Sequence, residues 1–442
     1  MKIETYKNVL DYLKAIIDGS KWQNHVFAVG GCVRDEIMGN EIKDIDIVID
    51  IANGGISFSK WLYEKNIITH EPIVYEQFGT AMFVLREFPD IEIEAVQTRK
   101  ECYRDAKTRN PETSFGTMAD DWTRRDFTIN AIYKNISTGK FVDFDNRGIN
   151  DIKNKIIRTC GAPEIIFDED SLRILRMVRF SSRFGFEIEE HTFESANKFV
   201  NRLSIISRER IYDEFKKMVT TGNYVKVRQA MCTLWDIGAF KYILPHVHAL
   251  KMLDRISLLN RISRMYSSIF PTFEEIMAAI MFDCDDAETE LRELKCSNDE
   301  IREILFYIKE NKTLQAIIGN DDIEMYLSRK VMNECGDERR FLTATIIGNV
   351  ELYHEFHTVC EDGFDGYNSL YDSIIEHEKE YFTYKLPVGG NDVMEALGIK
   401  PGPEVKTVLN SLMNFAYINK HEKDEKNIRS YLKYIVDTRK KD

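Results

Sequence analysis

The sequence predicts an α+β protein in which a small mixed sheet comes first and helices form the rest. Short runs rich in Val, Ile and Phe, bounded by Gly, Asn and Asp, indicate strands in the first third of the chain. From about Gly148 onward strands vanish and apolar residues recur at steps of three and four, which is typical of amphipathic helices. The predicted strands lie in VFAVGG, DIDIVID, TAMFVLREF, IEIEAVQT, INAIYKN and KFVDF, with early helices over 5–18 and 56–66.

Composition limits the kind of protein this can be. The chain has 442 residues, of which 43% are hydrophobic, so it can form several domains with cores of their own. Its eight cysteines are scattered without a C-x-x-C pair, which favours reduced thiols over a zinc site or a disulfide framework. No stretch has the apolar length of a signal peptide or a membrane span, so we expect a soluble, cytoplasmic protein with no membrane partner.

A formal net charge of −13 bears on possible partners. Nucleic-acid-binding proteins usually carry a basic field, so this charge argues against such a partner. If RNA binds, the positive charge that attracts it has to be local.

The first segment with chemical content is the run from Gly30 to Asp46. Adjacent glycines after a strand let the backbone approach a phosphate, and Arg34 can donate charged hydrogen bonds to its oxygens. Asp44 and Asp46 lie two apart in a predicted strand, so their side chains share one face and can bind a hard divalent cation. Taken singly, a Gly-Gly pair is usually only a turn and a D-x-D only a solvated strand end.

A third carboxylate is expected from a neighbouring strand. The run IEIEAVQT places Glu92 and Glu94 on one face, and we favour Glu94, with Glu92 as the alternative. Carboxylates gathered this closely repel one another, and a bound cation would offset that cost.

Two further segments carry charged side chains. In the run 124–131 (RRDFTINA), an Arg-Asp pair could bond the hydroxyls of a ribose, or be a surface ion pair of little energetic value. In a helix predicted from Glu169 through Arg183, the arginines share one arc and Asp170 falls one turn before Arg173. A carboxylate beside a guanidinium can match the Watson–Crick edge of a base. The alternative is a solvated face on which the arginines pair with Glu169 and Asp170.

Together these segments resemble the class II tRNA nucleotidyltransferase and bacterial poly(A) polymerase family. Its signatures are G-G-x-V-R-D followed by D-x-D, R-R-D-F-T-x-N-A, E-D-x-x-R-x-x-R and S-x-E-R-I-x-x-E, and they match at 30–46, 124–131, 169–176 and 207–214. The stretch 99–117 resembles the mobile segment of CCA-adding members, and 389–403 is similar to the tail of some bacterial ones, with a departure at Lys406. The chain has no His-Asp dipeptide, so it resembles members without a phosphohydrolase domain.

The resemblance implies an architecture and a set of site residues. It implies a polymerase β-like nucleotidyltransferase head over 1–146, a helical neck that selects the nucleotide over 147–222, a helical body over 223–335 and a helical tRNA-binding tail over 336–442. Asp44 and Asp46 would bind Mg²⁺ and, with Glu94, form the catalytic carboxylates. The implied nucleotide-binding residues are Gly30, Gly31, Arg34, Arg125, Asp126, Asn130, Asp170, Arg173, Arg176 and Arg179.

The implied reaction adds C, C and A to the 3′ end of tRNA from CTP and ATP, without a template and with release of pyrophosphate. No protein partner is implied. Poly(A) polymerases and A-only or CC-only enzymes share these motifs, and a catalytically silent RNA-binding protein is the alternative from another class. Basic side chains that could follow the RNA are Arg202, Arg208, Arg210, Lys216, Lys217, Lys433, Arg439, Lys440 and Lys441.

Overall fold

A computed structural model describes most of the chain as two compact units, Met1–His248 and Ala249–Asp442. The predicted head and neck therefore lie in the first unit together with the start of the predicted body, and the division into four domains stays a prediction. The described residues are 1–76, 79–102, 112–220, 222–315, 385–418 and 424–439, with the isolated positions 335, 339–340, 343–344 and 347.

The first unit is built on a seven-stranded mixed sheet. Its strands are β1 (Val26–Val29), β2 (Ile45–Ile49), β3 (Ile73–Tyr75), β4 (Thr80–Val84), β5 (Glu92–Gln97), β8 (Tyr133–Asn135) and β9 (Phe141–Val142). Their spatial order is β3-β4-β5-β2-β1-β8-β9. Strands β2 and β5 run parallel, and the other neighbouring pairs run antiparallel. The predicted mixed sheet is therefore confirmed.

Helices in the first half of this unit flank the sheet. They are α1 (Ile3–Ile17), α2 (Gly31–Met38), α3 (Gly54–Glu64), α4 (Met118–Thr123) and α5 (Gly148–Asn154), and a 3₁₀ turn covers Thr128–Asn130. Strands β6 (Arg99–Cys102) and β7 (Glu112–Phe115) pair as a two-stranded antiparallel sheet. Residues 103–111 of the predicted mobile segment lie outside the described residues. Thr117 and Asp120 form a capping box that fixes the start of α4.

The rest of the first unit is mainly helical, as predicted. Its helices are α6 (Pro163–Glu169), α7 (Leu172–Phe184), α8 (Glu190–Phe199), α9 (Arg208–Val219), α10 (Tyr224–Asp236), α11 (Phe240–Ile243) and α12 (Pro245–Ala249), the last of which ends at the unit boundary, and a 3₁₀ turn covers Val200–Ile205. The expectation that strands vanish after Gly148 is wrong in one detail. Two-residue strands β10 (Ile156–Ile157) and β11 (Glu187–Ile188) pair in parallel, and segments this short leave no alternation in the sequence.

The helix predicted from Glu169 through Arg183 is two helices. Helix α6 ends at Glu169, Asp170 has extended backbone angles, and Ser171 precedes α7. A side-chain oxygen of Asp170 accepts a hydrogen bond from the Leu172 amide at 3.1 Å. Asp and Ser favour such caps over helix interiors, which explains the break.

The described elements of the second unit are all helices, joined by turns and irregular segments. It contains α13 (Met252–Ser268), α14 (Phe273–Met281), α15 (Ala287–Leu294), α16 (Asn298–Gln315), α17 (Gly390–Leu397), α18 (Pro403–Ile418) and α19 (Glu425–Arg439). The last three share a core that includes Val393, Leu412 and Ile428. None of the helices in the described ranges has the length and apolar character that crossing a bilayer requires.

Candidate active site

Carboxylates meet on one face of the sheet, where the parallel strands β2 and β5 lie side by side. Asp46 and Glu94 are direct partners in the β2–β5 register, so their side chains lie on the same face. Asp44 lies just before β2, which begins at Ile45. Glu92, the alternative third carboxylate, lies two residues before Glu94 at the start of β5, and both residues are exposed. The register therefore favours Glu94 as the neighbour of Asp46.

The carboxyl pKa of Asp46 is raised by burial and by the neighbouring acids. Burial raises the pKa of its carboxyl to about 6, and the charges of Glu94 and Asp44 add to the rise, whereas Arg125 lowers it. A charged Asp46 is therefore costly at neutral pH without a compensating cation. Carboxylate oxygens are the ligands that hard divalent cations prefer, so this donor set fits a divalent metal.

The glycine turn lies next to these carboxylates. Gly30 has a φ of 79°, which L residues rarely adopt, and Gly31 is the first residue of α2. A Cβ built on Gly30 would lie 3.5 Å from Oδ2 of Asp46. The turn thus brings backbone close to the Asp46 carboxylate.

Arg34 is buried and held by internal partners. It is 4% exposed, donates two hydrogen bonds to Asp35 at 2.9 and 2.8 Å, and donates a third to Oδ1 of Asn130 at 2.6 Å. The rings of Phe180 and Phe184 lie 5.5 and 4.7 Å from its guanidinium carbon. Its predicted phosphate contact stays a prediction, since the guanidinium here is bonded to Asp35 and to Asn130 of the 124–131 segment.

Asp126 and Asn130 join the sheet to helix α7. The Asn130 amide donates to Asp126 at 3.1 Å, and Arg176 donates two hydrogen bonds to the other oxygen of Asp126 at 2.9 and 2.6 Å. Burial alone would raise the pKa of Asp126, but Arg176 outweighs it and the pKa falls to about 2. The carboxylate is therefore charged at neutral pH.

Arg125 lies over the same sheet face as the acids. Its Nε donates to Oδ2 of Asp121 and to the Tyr133 hydroxyl, each at 3.0 Å, and the Tyr133 ring lies 5.2 Å from its guanidinium carbon. Asp121 also accepts from Nε of Arg124 at 3.0 Å. Sequence reasoning gave Asp121 and Tyr133 no role. The sequence did contain a signal for these pairs, because Asp121 lies three residues before Arg124 and four before Arg125, which is the spacing of ion pairs on a helix.

Two arginines of α7 share a buried carboxylate on α9. Arg179 donates to Glu214 at 2.6 Å, and Nη1 of Arg176 lies 3.6 Å from the same side chain, which is 4% exposed. Glu214 ends the S-x-E-R-I-x-x-E segment, and the sequence assigned no role to this residue. Arg176 and Arg179 thus pair with carboxylates from other elements. Of the pairs that the alternative interpretation of α7 expected, the ion pair of Arg173 with Glu169 forms at 3.4 Å.

Asp170 and Arg173 are near in sequence but hold different partners. Asp170 pairs with Arg210 of α9 at 2.8 Å. Arg173 is 8% exposed and donates to the carbonyl oxygens of Arg124 at 2.7 Å and Ile166 at 3.2 Å. The side-chain pair that helix spacing predicted does not form between these described residues, because the helix breaks at Asp170. Their joint base-reading role stays a prediction.

Several arginines predicted to follow the RNA make internal contacts. Arg202 pairs with Asp168, Arg208 donates to the carbonyl of Tyr242, and Arg210 pairs with Asp170. Lys440, Lys441 and the side chain of Arg439 lie outside the described residues.

Residues 124–126 connect the two halves of the site. The carbonyl of Arg124 accepts from Arg173, Arg125 affects the pKa of Asp46, and Asp126 binds Arg176. Residues 124–126 thus link the carboxylates on the sheet to the arginines of α7, through the charge of Arg125 on one side and hydrogen bonds on the other.

Comparison with known proteins finds similar sequences for most of the chain. Residues 26–158 match the family model described as the poly A polymerase head domain, and residues 185–251 match the probable RNA and SrmB-binding site of polymerase A. The chain is 25% identical to a tRNA nucleotidyltransferase of Schizosaccharomyces pombe, over 93% of this chain and 94% of that protein. It is 29% identical to a CCA-adding enzyme of Staphylococcus aureus, over 87% and 88%.

Solved structures share the fold. The CCA-adding enzyme of Bacillus stearothermophilus in complex with CTP superposes with a TM-score of 0.71 at 22% identity over all of both chains. That of Thermotoga maritima complexed with tRNA gives 0.67 at 20% identity, over 97% of this chain and 95% of that one. Residues 26–158 thus match the poly A polymerase head domain, and most of the chain is similar in sequence to tRNA nucleotidyltransferases and CCA-adding enzymes and shares the fold of the latter.

Proposed function

We propose that this protein adds C, C and A to the 3′ end of tRNA from CTP and ATP, without a nucleic-acid template. The observation that carries the proposal is the pairing of Asp46 with Glu94 on one sheet face, next to Asp44 and linked through 124–126 to the arginines of α7. Relatives named for CCA addition or tRNA nucleotidyl transfer match this chain over about nine-tenths of its length.

The reaction is an in-line attack of the RNA 3′-hydroxyl on the α-phosphate of CTP or ATP, with pyrophosphate as the leaving group. Asp44 and Asp46 would hold Mg²⁺, with Glu94 beside them. When bound, the metal lowers the pKa of the attacking hydroxyl and neutralises charge on the entering and leaving oxygens. Phosphoryl transfer of this type depends mainly on positioning and electrostatics.

The protein's other side chains bind and orient the nucleotide. Gly30 and Gly31 let the backbone approach the phosphates, and Arg34 would add a charged donor. Arg176 and Arg179 would contact the triphosphate by exchanging part of their bonds to Asp126 and Glu214 for phosphate oxygens. Arg125 and Asp126 form the proposed ribose site.

Base selection is assigned to Asp170 and Arg173. A carboxylate and a guanidinium supply the acceptor and donors that a cytosine or adenine edge requires. Since the two side chains hold Arg210 and backbone carbonyls in this structure, base binding would need a local rearrangement of these contacts.

Two other activities use similar motifs. A poly(A) polymerase would extend an RNA with ATP alone, and an A-only or CC-only enzyme would perform part of the CCA sequence. A silent RNA-binding protein needs no metal-binding carboxylates, and the acidic cluster around Asp46 speaks against it.

The test is to sequence the products formed on a tRNA that lacks its last three nucleotides. With Mg²⁺ and CTP alone we expect two added C residues, with ATP alone no addition, and with both nucleotides a single product ending in CCA. A ladder of A residues with ATP alone would identify a poly(A) polymerase. Mg²⁺-dependent release of pyrophosphate excludes the silent protein.

A further inference from the structure

Asp121 is the most fully bonded carboxylate beside the candidate site. It is completely buried and accepts hydrogen bonds from both Arg124 and Arg125 and from the hydroxyl of Tyr133, the last at 2.8 Å. Nη2 of Arg125 lies 2.9 Å from its Oδ2. The geometry thus fixes the Arg125 guanidinium from two sides, by Asp121 and by Tyr133.

The sheet register places this clamp in the same row as Asp46. Val29 is the direct partner of both Asp46 and Tyr133, so the three residues lie across neighbouring strands on one face. Asp46 and Tyr133 are therefore two strand spacings, or about 10 Å, apart. The long side chain of Arg125, whose guanidinium contacts Tyr133, can cover much of that distance. An Arg125 released from Asp121 would find Asp46 as the next available carboxylate.

An ion pair between Arg125 and Asp46 would compete with a metal ion, because both cations need the same oxygens. Asp121 prevents this by supplying the negative charge that Arg125 requires. We propose that Asp121, assisted by Tyr133, is a positioning residue that holds Arg125 off the metal-binding carboxylates. This inference rests on the proposed function, since it assumes a cation at Asp46.

The decisive experiment measures the affinity of the full-length protein for Mn²⁺, used as a spectroscopic probe for Mg²⁺. Asp121→Asn should weaken Mn²⁺ binding roughly tenfold, the size of effect expected from one competing charged hydrogen bond. Adding Arg125→Gln to that variant removes the competitor and should restore the affinity. A purely structural role of Asp121 predicts no such rescue.

A matched control comes from Asp151, another buried carboxylate of this unit, which pairs with Thr128 and Arg158. Asp151→Asn should leave Mn²⁺ affinity at the wild-type value. If Asp121→Asn does not fold, Tyr133→Phe removes only one hydroxyl of the clamp and should weaken Mn²⁺ binding in the same direction by a smaller factor.

Unchanged Mn²⁺ affinity in a folded Asp121→Asn protein, or in Tyr133→Phe where that is the variant tested, would overturn the proposal. A loss that Arg125→Gln fails to restore would do the same. A wild-type protein that binds Mn²⁺ but adds no nucleotide to tRNA would contradict the proposed function instead, since the clamp is judged by metal affinity alone. Absence of Mn²⁺ binding by the wild type would overturn both.

Discussion

Asp46 stands at the centre of the site, and its charge costs the fold free energy. Its pKa of about 6 in the folded protein lies above the ordinary value of 3.8, because burial and the neighbouring acids disfavour the charged form. The folded state therefore binds a proton more tightly than the unfolded state, and the metal-free protein gains stability as pH falls from about 7 to 4.

Asp46→Asn should therefore stabilise the metal-free protein at pH 8 by roughly 1–2 kcal/mol, while removing activity. The measurement is thermal unfolding in the presence of a chelator at pH 8 and at pH 5, where the difference from wild type should shrink. Asp90→Asn, which changes an exposed carboxylate just before the neighbouring strand β5, is the control and should change little. A variant less stable than wild type at pH 8 would refute the electrostatic account.

Arg173 allows a prediction about nucleotide choice. Arg173→Ala should blur the selection between CTP and ATP, because it removes the proposed donor to the base and the contacts to the carbonyls of Arg124 and Ile166. The measurement is the ratio of correct to incorrect nucleotides at each added position. Arg183→Ala, on the last turn of the same helix, should keep the wild-type ratio. Slow incorporation with normal fidelity in Arg173→Ala would count against the base-reading role.

The sequence predicted which residues form the site better than it predicted their hydrogen-bond and ion-pair partners. Chemistry and spacing were enough to single out Asp44, Asp46 and Glu94, and the register places Glu94 opposite Asp46. Internal pairs such as Arg34 with Asn130 and Arg179 with Glu214 join distant segments. Neither periodicity nor local spacing contains that information, because such contacts arise only when the elements pack.

Among the elements, α3 packs closely on the sheet through a glycine. A Cβ on Gly55 would lie 2.5 Å from the carbonyl oxygen of Ala95 in β5 and 2.6 Å from that of Gly79, so backbone would have to move. Gly55→Ala should destabilise the protein by about 1–3 kcal/mol in thermal or urea unfolding. Gly161→Ala, whose nearest contact would be 3.6 Å, is the control. Equal stability of the two variants would contradict the packing described here.

Ion pairs around α4 and α7 predict acid sensitivity. Burial alone raises the pKa values of Asp121 and Asp126, but their arginine partners outweigh it and lower both to about 2. Their stabilising contribution is complete above the unfolded pKa near 4 and is lost as pH falls from about 4 to 2. The free energy of unfolding should therefore decrease as pH falls across this window, and it should decrease less steeply with pH in Asp126→Asn. An identical slope in that variant would refute the assignment.

Secondary structure followed from sequence where segments were long and periodic. The runs predicted as strands contain β1, β2, β4, β5, β8 and β9. Strand β3 has three residues and no buried side chain, so it lacks an alternating pattern. The break at Asp170 was missed because apolar residues recur at helical spacing on both sides of it. The hydrogen bond from the Leu172 amide to the Asp170 side chain, which favours the break, leaves no such pattern in the sequence.

For the whole molecule, the net charge of −13 has to be reconciled with an RNA substrate. Arginines near the site are held by carboxylates, as in the pairs Arg176–Asp126 and Arg210–Asp170, so much of the local positive charge is neutralised internally. RNA binding would then rely on side chains that exchange partners when phosphate arrives. The similarity to tRNA nucleotidyltransferases, by contrast, rests on motifs in the first unit and on sequence matches along most of the chain.

The central claim is that Asp44 and Asp46 carry out nucleotidyl transfer to RNA. Its most direct test is the rate at which C is incorporated into a tRNA lacking its last three nucleotides, in single turnover with Mg²⁺, by wild type, Asp44→Ala and Asp46→Ala. The account predicts incorporation by wild type and none by either variant, with all three proteins folded by circular dichroism. Wild-type rates in a folded Asp44→Ala or Asp46→Ala protein would contradict it.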